Sequence, residues 1–134
     1  MKPLLAGLLV AHALIHFSYV TPAPPETAGG PEWPFELTRS WLVTGVHLDP
    51  SIVRLLGTGL AAATATLLVG AGLATAGWLI PATWWSGLVI AGALSSLLTL
   101  GLFFHPWLAL GFAIDAALLW AVLVSPWQPF AAGE

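Results

Sequence analysis

The feature that most constrains this chain is a run of 60 residues, Leu55 to Ile114, that contains no Asp, Glu, Lys or Arg. Charged residues make up about a quarter of an ordinary soluble domain, because they keep its surface in water. Of the 134 residues here only 7% are charged and 58% are hydrophobic. So few charges cannot cover a water-facing surface. The sequence therefore predicts an integral, multi-pass membrane protein whose main partner is the lipid bilayer.

The scarcity of charged and sulfur-containing side chains also excludes several classes of function. Lys2, Arg39 and Arg54 are the only permanent cations, and three scattered cations cannot neutralise a phosphate backbone, so nucleic-acid binding is excluded. The sequence has no cysteine. Disulfides, thiolate metal sites, iron–sulfur clusters and covalently attached haem are therefore excluded as well.

Four apolar segments follow one another along the chain, and each opens with a proline. Proline suits the first turn of a helix, where no amide donor is needed. Asp49 is a suitable N-cap for the second helix, and Ser125-Pro126 is expected to end the fourth. The predicted fold is an all-α membrane protein, an antiparallel bundle of four transmembrane helices in a single domain over residues 1–134. The predicted helices are 3–20, 50–79, 81–102 and 106–124.

The connection between the first two helices is the only extended polar region of the sequence. Residues 21–31 are rich in proline and glycine, which is typical of an irregular loop. Apolar and polar side chains then alternate around Trp33 and Trp41 in a segment too short to cross a bilayer. We predict an interfacial amphipathic helix over residues 33–45, with its tryptophans as anchors. Lys2 and the N-terminal amine favour an N-terminus on the inner side, whereas Arg39 and Arg54 belong to the loop side. We place this loop on the outer side of the membrane.

Small residues recur at three- and four-residue spacing in the second and third apolar segments. Such residues let the backbones of neighbouring membrane helices approach closely. We interpret them as the internal packing faces of the bundle, with a contact in a homo-oligomer as the alternative. The predicted packing residues are Gly59, Ala63, Thr66, Gly70, Ala74 and Gly77, followed by Gly87, Ala91, Ser95 and Thr99.

Asp115 and two histidines are the strongest candidates for chemistry. Asp115 is the only carboxylate deep inside an apolar segment, which makes it either a functional residue or a hydrogen-bonded structural one. His12 and His16 lie one helical turn apart, a spacing that lets both rings reach one metal ion. A ligand-pocket or proton-relay role and simple interhelical hydrogen bonding are the alternatives. His12 and Asp115 are expected at the same depth and therefore in contact.

Most polar side chains are expected in the half of the bundle on the side of the long loop. Polar groups in hydrocarbon are unfavourable unless they satisfy one another or line a wet cavity. We therefore predict a polar cavity that opens toward the loop and ends near Asp115. Arg54 is expected near its mouth, where it could pair with a loop carboxylate or an anionic headgroup. The side chains of this half are His12, His16, Tyr19, His47, Asp49, Arg54, Thr58, Ser95, Ser96, Thr99, His105 and Asp115.

Three stretches of the sequence resemble a widespread group of small bacterial four-helix membrane proteins of uncharacterised activity. They are VAHALIHFSY, the second-helix stretch IVRLLGTGLAAATATLLVGAG, and GALSSLLTLGLFFHPWLALGFAIDAALL. The group has a His-Gly-Leu-Ile-His-Leu motif in its first helix, but Ala13 replaces that glycine here. Asp115 lies where asparagine is commoner. The resemblance implies that His12, His16, Arg54, Ser95 and Asp115 form one constellation, in a protein of the bacterial inner membrane.

Three functions from different classes fit these observations. The first, which we prefer, is a loop-side cavity that binds a hydrophobic small molecule or lipid through His12, His16, Arg54, Ser95, His105 and Asp115. The second is a structural or accessory subunit of a membrane complex. The third is a metal or b-type haem protein, in which a metal would use His12 and His16, and a haem would need facing ligands such as His16 and His105. The sequence identifies no cofactor.

Overall fold

The computed structural model describes residues 2–25 and 28–124, and this part of the chain is all-helical. The helices are α1 (Lys2–Phe17), α2 (Trp41–Thr44), α3 (Pro50–Ala76), α4 (Trp85–Leu102) and α5 (Ala109–Leu123). Short 3₁₀ turns lie at Leu37–Arg39, Ala82–Trp84 and Pro106–Leu108. Three stretches, Pro50–Ala76, Ala82–Leu102 and Pro106–Leu123, are long and apolar enough to cross a membrane, and α1 is a shorter apolar helix.

Both ends of α3 follow from local chemistry. Asp49 caps its start, accepting a hydrogen bond from the Ser51 amide at 2.8 Å, and Pro50 occupies the first turn. The helix ends at Ala76, earlier than the predicted residue 79, because Gly77 adopts a left-handed conformation with φ 72°. Its amide, and that of Trp78, bond back to the last turn, which stops further winding.

The other apolar helices start later or end earlier than predicted. Pro81 and Pro106 precede 3₁₀ turns, so the regular helices begin only at Trp85 and Ala109. At the end of α1, the amides of residues 18–20 bond to carbonyls three residues back, and the regular helix stops at Phe17. The predicted stop at Ser125-Pro126 lies outside the described residues.

The large helix interfaces are α1 with α3, α3 with α4, and α4 with α5. Glycine makes two of them close. A Cβ on Gly72 would lie 2.9 Å from Val10, and one on Gly92 would lie 2.7 Å from Leu68. The predicted small-residue faces were partly wrong, because Gly59, Ala63 and Thr66 of α3, and Gly87 and Ala91 of α4, are exposed. Gly77 is exposed as well, whereas Gly70, Ala74 and Thr99 are buried as predicted.

The segment predicted as one interfacial helix over residues 33–45 is not continuous. It contains the 3₁₀ turn Leu37–Arg39 and the single-turn helix α2. Ser40 separates them with an extended conformation, ψ 145°, and its hydroxyl accepts a hydrogen bond from the Leu42 amide at 3.2 Å. A residue that caps a new helix in this way ends the preceding one.

The same segment is docked on the last turn of α4. The Ser40 hydroxyl donates to the Leu102 carbonyl at 2.6 Å, and the Trp41 indole donates to the Gly101 carbonyl at 3.1 Å. Carbonyls in the last turn of a helix have no partner within the helix. Ser40 and Trp41 therefore attach this segment to α4 at the end of the molecule where α4 and α5 are joined.

We expect Gly57→Ala to be destabilising, because a Cβ there would lie 2.4 Å from Leu37 and 2.8 Å from Phe103. Overpacking of this kind typically costs about 1–3 kcal/mol. Gly59→Ala, two residues along, is the matched control, since no atom lies within 4 Å of its added Cβ. The control should leave stability unchanged or raise it by up to about 1 kcal/mol through helix propensity. Unfolding by a denaturing detergent, followed by circular dichroism, measures both; equal stability of the two variants would contradict the docking of Leu37.

Candidate functional site

The site begins with two histidines on the buried face of α1. His12 and His16 are four residues apart, and side chains at this spacing lie above one another on one helix face. Leu9 and Ala13 occupy the same face and are fully buried. The histidines are almost equally inaccessible, with 3% and 1% of their surfaces exposed. Both rings therefore face the interior of the protein.

Asp115 of α5 lies directly opposite these histidines, and it is completely buried. Its Oδ1 atom is 3.0 Å from Nε2 of His12, so the contact predicted from the sequence is present. Its Oδ2 atom accepts a hydrogen bond from the hydroxyl of Ser96, on α4, at 2.5 Å. The carboxyl group thus connects α1, α4 and α5.

Ser96 links the second histidine to the same carboxyl group. Nε2 of His16 lies 2.9 Å from the Ser96 hydroxyl oxygen, and Nε2 of His12 lies 3.4 Å from it. The two imidazole rings meet edge to face, with centroids 5.4 Å apart. We call His12, His16, Ser96 and Asp115 the His–Ser–Asp cluster. Each oxygen of its carboxyl group has a hydrogen-bond partner within the cluster.

Three buried polar atoms at the cluster have no hydrogen-bond partner among the described residues: Nδ1 of His12, Nδ1 of His16 and the hydroxyl of Tyr19. The Tyr19 ring stacks on His16, with centroids 6.1 Å apart, and Tyr19 is 5% exposed. A buried polar group without a partner costs about 1–3 kcal/mol. Three of them at one place are unusual for a region that serves packing alone.

The three residues that carry these atoms line a cavity of about 110 Å³, but Asp115, where the sequence predicted the cavity to end, does not line it. His12, His16 and Tyr19 supply the polar part of its wall. The rest of the wall is apolar, apart from the tryptophan indole, and consists of Ile15, Leu100, Trp107, Leu108, Leu110, Gly111 and Ile114. A small, mostly apolar space with a few convergent polar groups is the usual form of a ligand site.

A larger groove of about 1070 Å³ lies beneath the proline-rich loop. Ile15, Trp107 and Leu108 line both the groove and the cavity, so the two spaces adjoin. The other wall of the groove is formed by loop residues within 23–36, together with Arg39. The groove therefore lies between the loop and the cavity.

Three residues that the sequence grouped with the cluster lie elsewhere. The Ser95 hydroxyl accepts a hydrogen bond from Thr64 of α3 at 2.8 Å. His105 precedes the 3₁₀ turn Pro106–Leu108, and its Nδ1 accepts from the Trp107 amide at 3.3 Å. Arg54 is exposed on the first turns of α3. None of the three has a hydrogen bond to the cluster in the described part of the chain.

Arg54 instead acts on the connecting loop. The hydroxyl and amide of Thr38 both donate to Glu36, at 2.7 and 3.1 Å, and these bonds hold the pKa of that carboxyl below its usual range. The positive charge of Arg54 lowers this pKa further. Arg54 thus has a loop carboxylate nearby, one of the partners that the sequence suggested for it.

Ser96 was assigned to the polar half of the bundle but was not selected as a site residue. The structure places it, rather than Ser95, beside Asp115. Gly92 lies one turn before Ser96, and the two residues form a buried small-residue row. The row Gly87, Ala91 and Ser95 has the same spacing, however, so spacing alone does not choose between the two.

A metal at His12 and His16 stays a prediction. Within residues 2–25 and 28–124, no group of three or more His, Asp or Glu side chains has the arrangement of a metal site. In both histidines Nε2 is engaged in the cluster, so Nδ1 is the ring nitrogen left for a ligand.

Comparison with known proteins adds no further assignment. No protein-family model matches the chain, and no significant similarity was found to a curated protein or to a solved structure.

Proposed function

We propose that this protein is an antiparallel four-helix bundle of the bacterial inner membrane whose loop-side cavity binds a hydrophobic small molecule or lipid. In this arrangement α1, α3, α4 and α5 cross the bilayer, α1 being completed by the turn that follows it. The connecting loop then lies on the outer side. The polar end of the ligand occupies the cavity beside His12, His16 and Tyr19, and its apolar part extends into the groove under the loop.

The observation that carries this proposal is a set of three unpartnered polar atoms on residues that line a cavity. His12 Nδ1, His16 Nδ1 and the Tyr19 hydroxyl are all buried. All three side chains line the cavity of about 110 Å³. A ligand with one polar group could satisfy these atoms and offset their desolvation.

The adjoining groove supports a ligand with a long apolar part. Its volume of about 1070 Å³ is slightly above the roughly 300–1,000 Å³ typical of small-molecule pockets. Ile15, Trp107 and Leu108 provide a shared apolar wall. An amphiphile can therefore place its polar group near the cluster and lay its tail along this wall, with Glu32, Glu36 and Arg39 on the loop side of the groove.

An accessory subunit, in which the cluster only joins helices, is the second candidate. The observation in its favour is that both carboxyl oxygens of Asp115 already have partners on other helices. A structural role explains the hydrogen bonds of Asp115. It does not explain the two unpartnered Nδ1 atoms or the cavity. For this reason we place it second.

Gly111→Leu should strongly weaken ligand binding. Gly111 lines the cavity, and a Cβ there lies 3.8 Å from His12 and 3.0 Å from Leu100, so a leucine side chain occupies the ligand's space. The probes are four labelled amphiphiles of equal chain length: an alcohol, its methyl ether, a ketone and a carboxylic acid. Binding is measured in nanodiscs of phosphatidylethanolamine and phosphatidylglycerol, and empty nanodiscs give the partition background.

The matched control is Gly59→Leu, because Gly59 is exposed and a Cβ added there meets no atom within 4 Å. It should bind like the native protein. Gly111→Leu should bind at least about tenfold less, as expected when a cavity is filled, with the helical fold retained as judged by circular dichroism. If none of the four probes binds the native protein above the level of Gly111→Leu, the proposed function is wrong.

A further inference from the structure

The hydrogen bonds inside the cluster determine which nitrogen of His16 carries a hydrogen. The Ser96 hydroxyl donates its only hydrogen to Asp115. Its oxygen can therefore only accept from His16, whose Nε2 lies 2.9 Å away. His16 has no carboxylate contact of its own and is 1% exposed, so the neutral ring is favoured. Nε2 then holds the hydrogen, and Nδ1 of His16 is a hydrogen-bond acceptor.

Nδ1 of His12 has the opposite hydrogen-bonding role, because His12 lies next to the carboxyl group of Asp115. An isolated charge buried among apolar helices is very unfavourable, so His12 and Asp115 together are most stable with zero net charge. That state is reached when one extra proton lies between Nε2 of His12 and Oδ1 of Asp115, which are 3.0 Å apart. Whichever of these two atoms holds that proton, the other hydrogen of His12 is on Nδ1. Nδ1 of His12 is therefore a donor.

We propose that the polar group recognised at this site is a hydroxyl, which accepts a hydrogen bond from Nδ1 of His12 and donates one to Nδ1 of His16. This inference rests on the proposed function and specifies its ligand class as an amphiphilic alcohol. The two rings belong to residues that line one cavity, and their centroids are 5.4 Å apart; in the proposed complex one hydroxyl oxygen bonds to both. Tyr19, whose hydroxyl is also unpartnered, adds a group that can donate or accept.

Other polar groups match this donor and acceptor less well. A ketone or an ether oxygen only accepts, so Nδ1 of His16 would stay unsatisfied beneath it. An ammonium group only donates, and it brings a charge into an apolar wall. A carboxylate brings a negative charge close to Asp115. Sites that are built to bind a hydroxyl reject analogues without it, because their own buried groups are then left unpaired.

The test compares the amphiphiles in the nanodisc assay. We expect the alcohol to bind at least about tenfold more tightly than the ketone or the methyl ether of equal chain length, the size of effect produced by one unsatisfied buried acceptor. Equal binding of all three would overturn the hydroxyl assignment while leaving the proposed function standing. Absence of binding by every probe would overturn both, so the two failures are distinguishable.

His16→Gln tests the role of the second ring. A glutamine amide can take the place of Nε2 and donate to Ser96, but it offers no acceptor at the position of Nδ1. This variant should keep the fold and reduce the advantage of the alcohol over the ketone to less than about threefold. The matched control, Ser95→Ala, changes a neighbouring serine that bonds to Thr64 instead, and it should keep the full advantage. An undiminished preference in a folded His16→Gln protein would contradict the proposal.

Discussion

Replacing Asp115 by alanine is expected to lower the free energy of unfolding by about 3 kcal/mol. A typical hydrogen bond between membrane helices contributes only about 0.6 kcal/mol. Asp115 should exceed this because its loss leaves two buried groups, Nε2 of His12 and the Ser96 hydroxyl, without their acceptor, at about 1–3 kcal/mol each. Titration with a denaturing detergent, monitored by circular dichroism, measures the effect.

The control removes a carboxylate that is outside the cluster. Glu32 pairs with Arg39 at 3.0 Å, but both side chains are exposed, at 71% and 47%. Exposed pairs of this kind contribute about 0–1 kcal/mol. Glu32→Ala should therefore have little effect, and a loss in Glu32→Ala as large as that in Asp115→Ala would show that the change is not specific to the cluster.

A double-mutant cycle isolates the contact between His12 and Asp115. We expect His12→Ala and Asp115→Ala to be non-additive by at least about 1 kcal/mol, since residues in one hydrogen-bond network share their energies. Strict additivity in both stability and ligand binding would mean that the two residues are not coupled.

Asp115→Asn separates the two functional readings: lost stability with normal binding indicates a structural contact, and lost binding in a stable protein indicates a ligand site.

The second large effect on stability is expected at Ser96, whereas the adjacent Ser95 should have a much smaller one. Ser96→Ala is expected to cost about 3 kcal/mol, because it leaves Oδ2 of Asp115 and Nε2 of His16 without their partner. Ser95→Ala removes one 2.8 Å hydrogen bond and leaves a single buried group, the Thr64 hydroxyl, without its partner. That hydroxyl can turn to a carbonyl of its own helix, so the cost should be about 1 kcal/mol or less. The same detergent titration compares the two variants. Equal losses, or a larger loss in Ser95→Ala, would contradict the position of Ser96 in the cluster.

Much of the architecture was determined by the sequence alone. The apolar segments and their opening prolines predicted where the helices lie to within a few residues, because proline and Asp49 act locally at helix starts. The contact between His12 and Asp115 could also be predicted. A histidine and a carboxylate at the same depth in an apolar bundle have few other partners, so mutual satisfaction is strongly favoured.

Only the tertiary structure decided which side of each helix faces inward. In a membrane, the surface that faces lipid is as apolar as the interior, so hydrophobic periodicity does not reveal the buried face. Adjacent side chains on a helix point about 100° apart. For this reason Ser95 bonds to Thr64 of α3, whereas Ser96 bonds to Asp115 of α5.

The conformation of the connecting loop also depends on tertiary contacts. Its alternating pattern predicted one helix over residues 33–45, but Ser40 and Trp41 bond to the last carbonyls of α4 instead. Those carbonyls have no partner of their own, and they lie some 60 residues away along the chain. A local pattern carries no information about acceptors so distant in sequence, whereas the helix starts depend only on neighbouring residues.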